Sequence, residues 1–108
     1  MIYSTQLIQE KIIPFAIAYD LPAVYLFGSY ARDEAQDDSD IDILIEDVGS
    51  AIDSLMDLSS LQSDLEDALG KKVSLVTVES LERQSHGVSW RFARNVVREA
   101  VCIYERTR

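Results

Sequence analysis

A chain of 108 residues has room for one core and not two, since a domain of this size buries only about two-thirds of its unfolded surface. Its 47% hydrophobic and 27% charged residues describe a folded globular protein, and no apolar run approaches the roughly 20 residues that span a bilayer. A formal charge of −9 argues against a basic cleft for long nucleic acid, yet leaves small nucleotides open, because a divalent cation can bridge carboxylates and phosphates.

The opening Met1-Ile2-Tyr3-Ser4-Thr5-Gln6 lacks the basic and apolar regions of a secretory signal. The single cysteine, Cys102, allows no internal disulfide, so a cytoplasmic location is expected. Residues 4–19 carry Leu7, Ile8, Ile12, Phe15 and Tyr19 on a helical stripe, with Pro14 expected to kink or split it. Asp20-Leu21-Pro22 reads as a connection. Ala23-Val24-Tyr25-Leu26-Phe27 is a short apolar strand that stops at Gly28-Ser29, where Ser29 is predicted to cap a brief helix over 30–35.

From Asp40 the pattern has period two. Ile41, Ile43 and Ile45 share one face, and Asp40, Asp42 and Leu44 the other, which predicts a strand. Residues 51–69 present Leu55, Leu58, Leu61, Leu65 and Leu69 at helical spacing, and Gly70 is the expected stop. Residues 71–78 read as a third strand and 79–87 as a loop with at most a short helical turn. Residues 90–100 return to helical spacing through Trp90, Ala93 and Val97, and 101–104 form a last short strand. This order predicts an α/β (α+β) fold: a small mixed sheet with helices on one face, in a single domain over 1–108.

The acids Asp33, Glu34, Asp37, Asp38, Asp40, Asp42, Glu46 and Asp47 crowd the middle of the chain, while six of the ten basic residues lie beyond position 82. That asymmetry suggests metal in the middle and anion or partner contact near the C-terminal end, where Arg91, Arg94 and Arg98 would share a helix face. Residues i and i+2 of a strand point the same way, about 6.5–7 Å apart. Asp40 and Asp42 so placed would repel unless a cation sat between them, and Mg²⁺ suits few carboxylates plus phosphate oxygens. Glycine at 28 lets backbone approach a ligand closely, and Ser29 adds a hydroxyl and N–H groups for phosphate. An EF-hand fails, with Ile43 and Gly49 at the sixth and twelfth positions counted from Asp38, and no GxxxxGK[ST] occurs.

Phe27-Gly28-Ser29-Tyr30-Ala31-Arg32 followed by Ser39-Asp40-Ile41-Asp42-Ile43 resembles the signature of the DNA polymerase β-like nucleotidyltransferases. The short length and the Lys72-Val73-Ser74-Leu75-Val76 strand resemble more narrowly the minimal nucleotidyltransferases, antitoxin partners of HEPN-domain toxins. The resemblance implies Mg²⁺-dependent transfer of AMP from ATP to a tyrosine of the toxin. Asp40 and Asp42 would be the catalytic metal ligands, and Gly28, Ser29 and Arg32 would form the nucleotide site, with Arg32 bracing the loop or the acidic cluster or, alternatively, making a simple salt bridge with a neighbouring acid. Implied partners are the toxin and ATP, in a hetero-oligomer or homodimer, with no membrane and no long nucleic acid.

Two positions depart from the family pattern. Asp33 stands where glycine is usual, a mild change because aspartate tolerates the left-handed region. Ser74 stands where the third carboxylate belongs, and serine can neither bind the metal well nor act as base. Glu46, on the Asp40–Asp42 face by parity but further along the strand, and Glu79, beyond the end of the third strand, are the candidate substitutes, and sequence alone places neither at the site. A second reading follows, a catalytically weak or inactive binding module that neutralises its partner by covering it. An aminoglycoside-type adenylyltransferase is disfavoured, as 108 residues leave no acceptor domain. His86 is read as a loop residue, Cys102 as a near-core thiol, Trp90 as an anchor and Tyr104 as a buried tyrosine.

Overall fold

The first helical stripe folds as α1 (Thr5–Ala18), whose N-cap Ser4 accepts a hydrogen bond from the Leu7 N–H at 3.1 Å. In this computed structural model, residues 3–47, 49–80, 96 and 98–106 are described. Ile8, Ile12 and Ala16 are the buried stripe. The helix runs unbroken through Pro14, against expectation. Pro14 and Glu10 are both exposed, so water can satisfy the Glu10 carbonyl that loses its intrahelical donor.

Strand β1 (Ala23–Phe27) leads into a single turn, α2 (Gly28–Ala31), and then β2 (Ile41–Glu46). Helix α3 (Leu55–Leu69) is capped by Ser54, which accepts from the Asp57 N–H at 3.3 Å. It ends at Gly70, left-handed at φ +66°, as predicted. Leu61, Leu65 and Leu69 are buried, but Leu55 is 81% exposed. At about 100° per residue Leu55 sits roughly 80° off the centre of that stripe, and so it leaves the core.

Strands β3 (Val73–Thr77) and β4 (Val101–Glu105) complete a four-stranded sheet in the order β3-β2-β1-β4. β1 is antiparallel to β2 and β4, and β2 is parallel to β3, so the sheet is mixed. α1 and α3 cover the face formed by Val24, Leu26, Ile41, Ile43, Ile45, Val73 and Ile103. The opposite face holds a smaller cluster of Phe27, Leu44 and Val96, with Ala100 beside it. Cys102 is exposed rather than near-core, because alternation along β4 turns Ile103 to the helix layer and Cys102 away. Tyr104 is half-buried against the main core.

Polar ties fix the strands that carry the acids. Gln62 Nε2 donates to the Val73 carbonyl at 2.8 Å, and the Val73 N–H donates to Glu66 Oε2 at 2.9 Å, which locks α3 to the start of β3. The Ile41 N–H then donates to the Lys72 carbonyl at 3.0 Å, aligning the start of β2 with β3. Among the described residues no helix is long and apolar enough to cross a membrane.

Candidate functional site

Antiparallel pairing of β1 with β2 sets Phe27 opposite Asp42, so the chain leaves β1 at Gly28 beside the acid strand. The approach is very close. Gly28 has φ +73°, and a Cβ built there would lie 2.0 Å from Asp42 Oδ2 and 2.9 Å from its Cγ. Only glycine fits, both for its backbone conformation and for lack of space. Gly28→Ala is expected to cost about 1–3 kcal/mol of stability from backbone strain alone, a shift readable in urea denaturation.

Asp42 is half-buried and Asp40, one residue before β2, is exposed. The loop into Asp40 is closed by paired hydrogen bonds, Ser39 N–H to the Gln36 carbonyl at 3.0 Å and Gln36 N–H to Ser39 Oγ at 2.8 Å. Burial, and next the charge of Asp40, push the Asp42 carboxyl above the usual aspartate range; Arg32 opposes this and Glu99 adds to it. The folded chain therefore holds this proton to higher pH than the unfolded chain does. Its contribution to stability is present at low pH and is lost as pH rises through the raised folded value. Thermal melts in chelator should accordingly find Asp42→Asn more stable than the native chain at neutral pH. The two should converge as pH falls toward about 4, near the ordinary aspartate pKa.

Parallel pairing sets Ser74 of β3 in register with Asp42. Position 74, where the family pattern would have its third carboxylate, thus lies beside Asp42, and its residue is an exposed serine. Neither substitute weighed from sequence joins it. Glu46 pairs with Ala23 at the far end of β2 and lines a separate concavity with Glu105 and Arg106. Glu79 lines another with Asp47 and Asp53. The acid that does reach Asp42's cavity is Glu99, which sequence reasoning missed. Its nearness follows from β4 pairing with β1, a long-range contact with no local signal.

That cavity has a volume of about 360 Å³ and is lined by Gly28, Ser29, Arg32, Asp42, Ser74 and Glu99, together with Phe27. A larger concavity of about 500 Å³ lies at the other end of the sheet and is lined by neither Gly28 nor Asp42, so the chemistry favours the smaller one, although Asp40 is not among the residues lining that cavity. Ser29 is not the predicted cap. The cap position is Phe27, without a side-chain bond, because the chain turns helical directly at Gly28. Asp33 takes the left-handed conformation at φ +58°, so aspartate here does the conformational work of glycine. Arg32 pairs with Glu34 at 3.2 Å and Glu99 at 2.9 Å.

Among the described residues no three His, Cys, Asp or Glu side chains gather as a ready metal site. The carboxylates lining the cavity, among the described residues, are those of Asp42 and Glu99, and Asp40 precedes Asp42 by two positions. An Asp40–Asp42 donor pair would fit Mg²⁺, which keeps water and phosphate oxygens as its remaining ligands. Of the C-terminal arginines, Arg98 is exposed, while Arg91, Arg94, His86 and Trp90 lie outside the described residues.

The family model for polymerase β nucleotidyltransferases matches residues 10–108. The protein adenylyltransferase MntA of Thermococcus cleftensis is 41% identical over 78 residues, covering 72% of this chain and 70% of that protein. A chain of a toxin–antitoxin crystal structure with AMP-PNP superimposes with a TM-score of 0.69 at 25% identity, over 92% of this chain and 74% of its own length. A chain from the complex of tri-AMPylated Shewanella oneidensis HEPN toxin with MNT antitoxin gives 0.64 at 25% identity, over 94% and 73%. The mixed α/β nucleotidyltransferase fold expected from sequence is thereby borne out.

Proposed function

The chain belongs to the polymerase β nucleotidyltransferase family, and on that premise we propose that it moves AMP from ATP to a tyrosine hydroxyl of a HEPN-domain toxin, as the antitoxin of the pair. The observation that carries the reading is the contact of Gly28 with Asp42, which joins the phosphate-facing turn to the metal-binding strand in one cavity. The name of the Thermococcus relative and the composition of the Shewanella complex support protein AMP transfer and a HEPN partner. The AMP-PNP structure supports an adenine nucleotide as donor. We read residues 1–108 as one such domain acting in the cytoplasm.

In this reading Asp40 and Asp42 hold Mg²⁺, which would draw charge from the triphosphate. Gly28 and Ser29 face the phosphates, and Arg32 adds the one cation lining the cavity among the described residues. The acceptor oxygen bonds to the α-phosphorus while the bond to the departing pyrophosphate breaks. The acceptor's proton must also leave. Ser74, un-ionised near neutral pH, is a poor base for it, so transfer is expected to be slow.

Incubation with ATP, Mg²⁺ and a HEPN-domain protein that this chain binds should add AMP to the partner, detected by intact mass. No added mass on a partner that nonetheless binds would overturn transfer. Ser74 in register with Asp42 specifically favours the second reading, a binding module that neutralises by covering its partner.

A further inference from the structure

Arg32 closes one side of the cavity that holds Asp42, and its guanidinium is already engaged. Nε lies 3.2 Å from Glu34 Oε2 and Nη1 lies 2.9 Å from Glu99 Oε2. The two acids differ in kind. Glu34 is two residues away, 65% exposed, and does not line the cavity. Glu99 comes from 67 residues away, is 29% exposed and lines the cavity wall. The sheet delivers it there, because Val101 pairs with Leu26 and the residues before β4 fall alongside Phe27 and Gly28.

A carboxylate on an arginine presents the same geometry as a phosphate oxygen on that arginine. The Arg32 donor that would meet an incoming phosphate is thus occupied by an acid whose charge also repels it. We propose that Glu99 acts as an internal surrogate for the nucleotide's phosphate. It keeps Arg32 posed at the cavity wall and lowers nucleotide affinity by competing for that guanidinium. Glu99 is in these terms a positioning residue. The inference rests on the nucleotide reading of the cavity given above.

The pair is partly exposed, so the competition is modest, about three- to fivefold in affinity. Fluorescence titration of the full chain with mant-ATP and Mg²⁺ tests it through a double-mutant cycle. Glu99→Gln should bind about three- to fivefold more tightly, Arg32→Ala more weakly, and the double variant no more tightly than Arg32→Ala. The last comparison separates release of Arg32 from mere loss of a negative charge, which would tighten binding in either background. Unchanged or weaker binding by Glu99→Gln, or an equal gain without Arg32, overturns the proposal. Should Glu99→Gln fail to fold in thermal melts, Glu99→Asp, too short to keep the 2.9 Å contact, should also bind more tightly, and unchanged affinity there overturns it too. Native chain that binds no mant-ATP overturns the nucleotide reading itself, whereas native binding with an unaltered Glu99 variant overturns this inference alone.

Discussion

Changing Asp40 and Asp42 together to alanine is expected to abolish AMP transfer, with labelling of the partner falling by more than about 10³-fold. In this reading Asp40 and Asp42 hold the divalent cation against the triphosphate, so their loss removes the charge stabilisation on which transfer depends. The chain itself should stay folded. Asp40 is exposed, Asp42 is half-buried, and the charge of one raises the pKa of the other, so neither carboxylate supports the metal-free fold. Circular dichroism and radiolabelled ATP, read on the same preparation, check both halves of the claim. The partner's fate then separates the two readings. A toxin released from inhibition by the double variant fits neutralisation through AMP transfer, and a toxin still silenced fits neutralisation by contact.

The second large effect runs the other way. Ser74→Asp should raise the transfer rate by about 10²-fold, because it restores a carboxylate next to Asp42 on a strand whose register is already set. Exposure of Ser74 leaves room for the longer side chain. A third acid beside two others also destabilises the metal-free protein, so the variant should melt lower than the native chain in chelator. Mg²⁺ or Mn²⁺ should stabilise it more than it stabilises the native chain. Single-turnover labelling measures the rate, and paired melts measure the metal dependence. A variant that gains metal stabilisation without gaining rate would assign the remaining barrier to the acceptor's approach rather than to the missing base.

Much of this site was written in short-range patterns. Alternation over 40–45 placed Ile41, Ile43 and Ile45 in the core and turned Asp42 toward the cavity on the other face, since strand parity depends on the chain alone. Gly70 at the end of α3 and Asp33 in the left-handed region follow from backbone sterics, which are equally local. The Gly-Ser and Asp-x-Asp pieces were legible for the same reason. Other expectations failed where a neighbour, distant in sequence or simply solvent, decided the outcome. Pro14 was tolerated because solvent faces it, Leu55 fell outside the stripe that the sheet covers, and Cys102 lay on the side of β4 that α1 does not reach.

The composition of the cavity belongs to the second class. That Ser74 stands beside Asp42, and that Glu99 rather than Glu46 or Glu79 reaches Arg32, follow from the strand order β3-β2-β1-β4. Sequence spacing determines which way a side chain leaves its strand. Which strands become neighbours is settled by burial of both sheet faces at once, a property of the whole fold that no local stretch of residues contains.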